Sequence, residues 1–366
     1  MKDVLIIGAG KIGSTIAQML GASGDYRVAV ADRSVEQLAA LEAGAAIETL
    51  TLDVASADAM EAAMSGRFAV LSAAPFHLTT AIANAAARTG AHYLDLTEDV
   101  ASTRVVKTLA RNAASAFLPQ CGLAPGFITI VAHDMAKRFD TLDEVRMRVG
   151  ALPQFPSNAL NYNLTWSTDG VINEYCEPCE AIVNGERRET QPLEELESFS
   201  LDGVAYEAFN TSGGLGSMCE TYAGRVRNLN YRTIRYPGHQ AIMKALLHDL
   251  RLRDRRHVLK DILEHALPAT TQDVVVIFVT VSGVKNGRLM QETYANKIYS
   301  QPVGARMASA IQATTAAGIC AALDLLAQGK LPRQGFVRQE DIALDDFLAN
   351  RFGRVYARDE KTSRAA

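Results

Sequence analysis

The sequence predicts an α/β protein with a doubly wound parallel sheet and a second α/β domain built on an open mixed or antiparallel sheet. Three observations carry this. A glycine-rich turn joins an apolar strand to a helical pattern close to the N-terminus. Strand-like and Ala-rich helical segments then alternate to residue 120. Past residue 125 the strand-like segments lengthen and mix polar with apolar positions.

In the first part, strands read at 3–7, 27–31, 47–51, 68–73, 92–96 and 115–119. Between them lie helical segments at Val35–Ala43, Ser56–Met64, Thr79–Thr89 and Ala101–Asn112. Such alternation means a parallel sheet with helices on both faces. Residues 145–151, 161–169, 181–191, 231–236, 273–284 and 289–299 read as longer strands, the pattern of an open sheet with one wet face. His239–Leu247 and Arg255–Ala266 read as helices. An apolar helix is expected from Ala305 to Gln328, ended by Gly329, and is too apolar for a surface helix. It should therefore pack back on the first domain. The charged segment from Phe347 to Ala366 is expected to fray. These patterns give a dinucleotide-binding domain over 1–124, a second domain over 125–304, and a C-terminal helix and tail over 305–366.

The turn itself is Gly8-Ala9-Gly10-Lys11-Ile12-Gly13, directly after the strand Val4-Leu5-Ile6-Ile7. A second strand, Arg27–Ala31, runs into Asp32. This is the fingerprint of a Rossmann-type nucleotide site, and each part has a physical job. Gly8 permits the tight turn, Gly10 lets the backbone approach a diphosphate, and Gly13 lets the helix press on the strand. The helix N-terminus, entered through Lys11 and Ile12, offers unpaired N–H groups and a positive dipole end. Asp32 can accept from ribose hydroxyls, whereas a 2′-phosphate there would meet like charge. The expected cofactor is NAD. Arg33, which can stack on adenine or take a 2′-phosphate, leaves NADP open.

In an open parallel sheet, ligands bind beyond the carboxyl ends of the strands. Four segments fall there. Asp53-Val54 can meet the adenine, or Asp53 can simply cap a helix or turn. Ala73-Ala74-Pro75 would let the backbone pass close to the second ribose. Asp95-Leu96-Thr97-Glu98 follows the fifth strand, where Asp95 is a candidate acid/base and Asp95 and Thr97 are alternatively caps. Cys121-Gly122-Leu123-Ala124-Pro125-Gly126 forms the crossing into the second domain. His239, after a Pro-Gly turn, is a second acid/base candidate, or else a helix N-terminal residue facing water. Arg225, Arg227, Arg232 and Arg235 form a basic cluster suited to carboxylates, or a solvated strand edge. Arg232 and Arg235 have opposite parity and should face apart. Cys176-Glu177-Pro178-Cys179 lacks the second ligand pair that zinc requires and the setting of a redox motif, so no metal is expected.

Composition limits the function classes. The 366 residues have 48% hydrophobic and 21% charged content, ordinary for a globular enzyme. A net charge of −4 argues against nucleic-acid binding. With the glycine turn starting at residue 8, no signal peptide is expected. The longest uncharged apolar run, Val274 to Val281, is strand length, which argues against a membrane span. Five irregularly spaced cysteines fit a reducing, cytoplasmic setting.

Taken together, the chain resembles the saccharopine dehydrogenase family, which includes lysine 6-dehydrogenase and carboxynorspermidine dehydrogenase. The matching residues are Gly8–Gly13, Ser72–Phe76, His92–Thr97, Cys121–Gly126, Thr233–His239, and Thr314–Gly329 followed by Gly335-Phe336-Val337. The resemblance implies a nicotinamide-binding domain, an inserted substrate domain that mediates homodimerisation, and hydride transfer at a carbon–nitrogen bond of an amino acid. It implies Asp95 or His239 as acid/base and Arg235 with Arg225 on carboxylates. It also implies Cys121 in the catalytic set, its backbone with that of Gly122 positioning the substrate beside the nicotinamide, and Gly122 and Leu123 as substrate-binding residues. One departure stands out: saccharopine reductases often carry Asp where this chain has Ala124, whereas lysine 6-dehydrogenases tend to have Ala. Asn161–Trp166 and Asn173–Cys179 look more like bacterial glutamate-forming saccharopine dehydrogenases. A non-enzymatic NAD-binding regulator on the same scaffold is the alternative from another class.

Overall fold

The computed structural model describes residues 1–41, 47–304 and 306–358. The chain divides into two compact units. The first holds Met1–Phe127, Pro302–Ala308 and Gln312–Ala366, the second Ile128–Gln301 and Ser309–Ile311.

In the first unit, β1 (Lys2–Ile7), β2 (Tyr26–Asp32), β3 (Ile47–Thr51), β4 (Ala69–Ser72), β5 (His92–Asp95) and β6 (Ala116–Leu118) alternate with helices. The helices are α1 (Lys11–Ala22), α2 (Val35–Ala39), α3 (Ala57–Met64), α4 (Thr79–Thr89) and α5 (Val100–Ala110). All strand pairs are parallel, and β1 lies between β2 and β4, so the strand order reverses beside it. That reversal is the switch point where such sheets bind ligands. Leu5, Ile7, Ala29, Ala31, Val70, Tyr93 and Phe117 form the sheet's share of a core closed by Met60, Met64, Ile82 and Ala86.

The second unit starts with α6 (Phe127–Ala136), an apolar helix the sequence reading missed, and β7 (Thr141–Pro153). Then come α7 (Thr168–Cys176), β8 (Cys179–Val183), β9 (Glu186–Thr190), β10 (Glu197–Leu201), β11 (Val204–Asn210), α8 (Met218–Tyr222) and β12 (Val226–Arg235). It continues with α9 (His239–Lys244), α10 (Arg256–Ala266), β13 (Asp273–Lys285) and β14 (Arg288–Tyr299). The sheet is mixed: β12 runs parallel to β7, and the other pairs are antiparallel. Val171, Ile172 and Tyr175 of α7, Met243 of α9 and Leu259 and Leu263 of α10 cover one face with Phe209 of β11.

Several expectations are corrected. Residues 161–167 are not a strand. Asn158 donates from its amide to the Tyr162 carbonyl at 2.7 Å, a local bond that competes with a ladder, and Ser167 then caps α7 through Gly170 N at 3.1 Å. The strand expected at 181–191 is a hairpin, β8–β9, turned at Asn184-Gly185 with both residues at positive φ. The missed pair β10–β11 turns in the same way at Asp202-Gly203, and Asn286-Gly287 joins β13 to β14.

The C-terminal part returns to the first unit. After the ribbon of β15 (Gln301–Val303) and β16 (Arg306–Ala308), the apolar helix α11 runs over Ala310–Ala327, five residues later than expected. It is long and apolar enough to cross a membrane, yet 83% of it is buried inside the protein, as in a core helix. β17 (Gly335–Phe336) then adds a seventh parallel strand beside β6, and α12 (Leu344–Ala349) follows. The expected fraying does not hold up to residue 358, because Phe347 and Tyr356 pack on Phe127 with ring centroids 5.3 and 3.9 Å away. Ala305, residues 359–366 of the tail, and the end of the helix expected over Val35–Ala43 lie outside the described residues.

Candidate functional site

The glycine turn is fixed by contacts only glycine tolerates. Gly8 has φ +106°, and a Cβ there would lie 2.8 Å from the Ala73 carbonyl oxygen. A Cβ on Gly13 would sit 1.8 Å from the Gly8 oxygen, so α1 starts directly on the turn. A Cβ on Gly10 would meet nothing within 4 Å, which leaves open space in front of its backbone. The first turn of α1, with Lys11 and Ile12, contains no acidic residue, so its N–H groups face an anion without competition.

Asp32 ties the end of β2 to this turn. Its Oδ2 accepts from Ala9 N at 2.7 Å and its Oδ1 from Ser34 N at 2.9 Å. Each oxygen keeps a further lone pair for a ribose hydroxyl. Arg33 is exposed beside it. Ala73 donates its N–H to the Ile7 carbonyl at 2.8 Å and carries the chain past Gly8 and Gly13, followed by Ala74 and the exposed Pro75. These residues fit a dinucleotide: a backbone cradle for the diphosphate, with a carboxylate one strand away for the sugar. Asp53 takes the simpler of its two readings, because its Oδ1 accepts from Ala55 N at 2.9 Å within its own turn. Val54 packs against the core.

At the end of β5, Asp95 is buried, with 1% exposure. It accepts from Tyr93 OH at 2.8 Å, Gln120 N at 2.8 Å and Thr97 N at 3.0 Å. Burial pushes its carboxyl up to about 6, against those three donors. Its carbonyl also accepts from Cys121 N at 2.8 Å. Asp95 thus staples the β5 end to the loop after β6. Glu98, three residues on, is half-buried; burial pushes its carboxyl up to about 7 against a hydrogen bond from its own backbone N–H, and the charges of Asp99 and Asp95 add to the rise.

Cys121 offers no reactive thiol. Its thiol is buried, donates to the Leu118 carbonyl at 3.1 Å and accepts from the Gln339 amide at 3.3 Å. Burial pushes it well above the usual thiol range, so it stays protonated. Gly122 and Leu123 are buried as well and offer backbone groups only. Gly318 of α11 presses on this loop: a Cβ there would lie 2.5 Å from the Cys121 oxygen.

In the second unit the four arginines separate. Arg227 is exposed in a bidentate pair with Asp143 at 2.6 and 3.0 Å. Arg232 bonds Glu195 at 2.7 Å and Glu197 at 3.2 Å. Arg225 is exposed, 5.5 Å from the Tyr222 ring centroid. Arg235 alone is buried, with 3% exposure, and has no ion pair among the described residues. Its Nε donates to Tyr175 OH at 2.9 Å and its Nη1 to the Ile234 carbonyl at 2.8 Å. The guanidinium lies 5.2 and 5.8 Å from the ring centroids of Tyr162 and Tyr175. Buried Glu174 acts on it electrostatically.

His239 is corrected as an acid/base. It is buried, with 1% exposure, and burial with the Arg235 charge lowers it to about 3. Its Nδ1 donates to the Leu160 carbonyl at 2.9 Å, which leaves Nε2, 3.1 Å from Tyr175 OH, as an acceptor. A neutral imidazole with both nitrogens engaged positions Tyr175 and moves no proton. Tyr162, Tyr175, Glu174 and Gln339 escaped the sequence reading. Tyr175 and Arg235 are 60 positions apart, and no local pattern links them.

A glycine turn at a switch point, open in front of Gly10 and tied to the Asp32 carboxylate, places the chain in the doubly wound, dinucleotide-binding class. Two family models place it more closely. The saccharopine dehydrogenase NADP binding domain matches residues 4–120, and the saccharopine dehydrogenase C-terminal domain matches residues 122–354. The chain belongs to the saccharopine dehydrogenase family.

Saccharopine dehydrogenase [NADP(+), L-glutamate-forming] of Saccharomyces cerevisiae is 24% identical over 270 residues, covering 69% of this chain and 59% of the yeast protein. The mitochondrial alpha-aminoadipic semialdehyde synthase of Mus musculus is 22% identical over 50% of this chain and 21% of its own length. The chain therefore spans little more than half of the yeast relative and a fifth of the mouse one. In fold it is similar to the apo yeast saccharopine dehydrogenase, with a TM-score of 0.78, 17% identity and coverage of 95% of this chain and 96% of that one. It is also similar to a homospermidine synthase of Legionella pneumophila solved with NAD, with a TM-score of 0.64, 12% identity and coverage of 97% and 89%.

Proposed function

We propose that this chain oxidises saccharopine with NAD, giving L-glutamate and 2-aminoadipate 6-semialdehyde. The observation that carries the reading is Arg235, a buried guanidinium with no carboxylate at ion-pair distance among the described residues, Glu174 acting on it only from farther off. A substrate with several carboxylates supplies that anion, and a planar fork held between two tyrosine rings suits bidentate recognition. His239 keeps Tyr175 in place as its acceptor. Arg225, exposed beside Tyr222, is the second carboxylate ligand in this reading.

Gly8, Gly10, Lys11, Ile12 and Gly13 would hold the diphosphate, Asp32 the adenosine ribose, and Ala73, Ala74 and Pro75 the second ribose. The Asp32 carboxylate favours NAD over NADP, because a 2′-phosphate would meet its charge. When bound, the cofactor supplies the hydride acceptor. The protein's own share is to bind carboxylates, keep the amine unprotonated and take a proton when water adds to the imine.

The test incubates the protein with NAD or NADP and either L-saccharopine or L-lysine, then assays glutamate against ammonia. The expected result is NADH and glutamate from saccharopine, with NADP the poorer cofactor. Ammonia from lysine would instead support lysine 6-dehydrogenase, a reading that Ala124 favours.

A homodimer in the cytoplasm completes the proposal. β14 ends its sheet path and carries exposed Leu289, Met290 and Tyr299, an edge that a second copy would cover. The five cysteines are buried and unbridged, which suits a reducing compartment.

A further inference from the structure

We infer that Glu98 is the proton acceptor of the reaction, taking the proton from the substrate ammonium and later from the attacking water. The inference rests on the amine oxidation proposed above and names the group that performs its proton steps. Three placements carry it. Glu98 stands at the carboxyl end of β5, on the side where a doubly wound sheet binds its ligand. Its two acidic neighbours are both committed: Asp95 accepts three hydrogen bonds, and Asp99 caps α5 through Ser102 N at 2.7 Å and Ser102 Oγ at 2.6 Å. Glu98 is half-buried and forms no ion pair or hydrogen bond to another side chain among the described residues. The other two candidates are removed by their own bonding, since the Cys121 thiol and the His239 imidazole are buried and locked.

The charged groups acting on Glu98 are Asp99 and Asp95, both anionic, and with burial they raise its carboxyl to about 7. A base of that strength exchanges protons at neutral pH. The steps balance as follows. The Glu98 carboxylate takes one N–H proton of the ammonium and leaves a neutral amine. The amine carbon then gives its hydride to the nicotinamide oxidant and becomes the iminium carbon. Glu98 releases its proton to solvent. Water adds to the iminium carbon while Glu98 takes a water proton, which gives a neutral carbinolamine. Glu98 returns that proton to nitrogen, and the C–N bond breaks with its electron pair going to nitrogen. The hydroxyl proton goes to solvent, and aldehyde and free amine leave.

The test compares wild-type, Glu98→Gln and Glu98→Asp proteins in complex with NAD. Glu98→Gln should lose roughly 10²–10⁴-fold in kcat with saccharopine and the limb of the pH–rate profile near 7, the range for a positioned acid/base. Its NAD affinity by calorimetry should stay within about twofold, and Glu98→Asp should recover part of the rate. Full turnover with an unchanged limb would overturn the inference.

A second readout needs no substrate: side-chain carboxyl ¹³C resonances of the NAD complex, with Glu98 assigned by its absence in the Gln variant. Titration near pH 7 supports a poised base, and titration near 4.5 removes it. If wild-type protein forms NADH from neither saccharopine nor lysine, the substrate reading fails, and this titration alone decides the inference.

Discussion

Three side chains set the character of the second unit's buried polar cluster, and His239 is the most sensitive of them to pH. Its folded-state pKa is about 3, below the ordinary histidine value of 6.5. A depressed imidazole contributes stability that is present above pH 6.5 and is lost as pH falls toward 3. The slope is about 1.4 kcal/mol per pH unit within that window. Replacing His239 by Gln should flatten the acid limb. It should also lower stability at pH 8 by about 1–3 kcal/mol, because Tyr175 loses its acceptor. Urea midpoints of both proteins between pH 4.5 and 8 check this, and parallel curves would refute it. At this scale the sequence was informative where a residue acts with its chain neighbours: Gly8, Gly13 and Asp32 were legible from spacing. From residue pattern alone Arg235 was one of four arginines, and only the family resemblance singled it out, together with Arg225. What sets it apart is the ion pairs that engage Arg227 and Arg232 and the tyrosines that come from 60 and 73 positions away.

Elements in the first unit are held by close backbone approach as much as by apolar burial. α11 lies so near the Cys121–Gly122 turn that a Cβ at Gly318 would stand 2.5 and 2.8 Å from the two carbonyl oxygens. Backbone cannot yield as a flexible side chain can, so Gly318→Ala should cost about 1–3 kcal/mol, the usual range for overpacking. Guanidinium unfolding measures it, and an unchanged midpoint would mean that the helix can slide. The hairpin turns were equally decidable in advance. Asn184-Gly185, Asp202-Gly203 and Asn286-Gly287 are the dipeptides that favour positive φ at both central positions. The first was read through as one strand because polar residues on both sides, Glu186 to Thr190 above all, hide the break in the apolar pattern.

For the molecule as a whole, chain order and spatial order part company. The first unit needs residues 302–308 and 312–366 as well as its first 127. Buried Asp324 joins the two stretches, accepting from Tyr26 OH at 2.6 Å and from Arg351 at 2.8 Å. A chain ended after Gln301 should therefore lose part of the cooperative melt of the full chain and all NAD binding, although the whole glycine turn is present. Circular dichroism melts and calorimetry check this, and a sharp transition with retained NAD affinity would refute it. The α/β alternation and the change of character past residue 125 were legible because each reflects a local period. The parallel pairing of β12 with β7 was not, since Val226 meets Leu142, 84 positions before it in the chain.

β17 has a consequence for synthesis. It covers the edge of β6, yet Gly335 is 217 positions beyond Leu118, the last residue of that strand. At 5–20 residues per second a ribosome takes roughly 10–40 s to span that distance. Throughout that interval the nascent sheet carries a bare, apolar rim, the kind of surface that invites neighbouring polypeptides on a polysome to pair with it. That rim is closed only once residues 335–336 have emerged to pair with it.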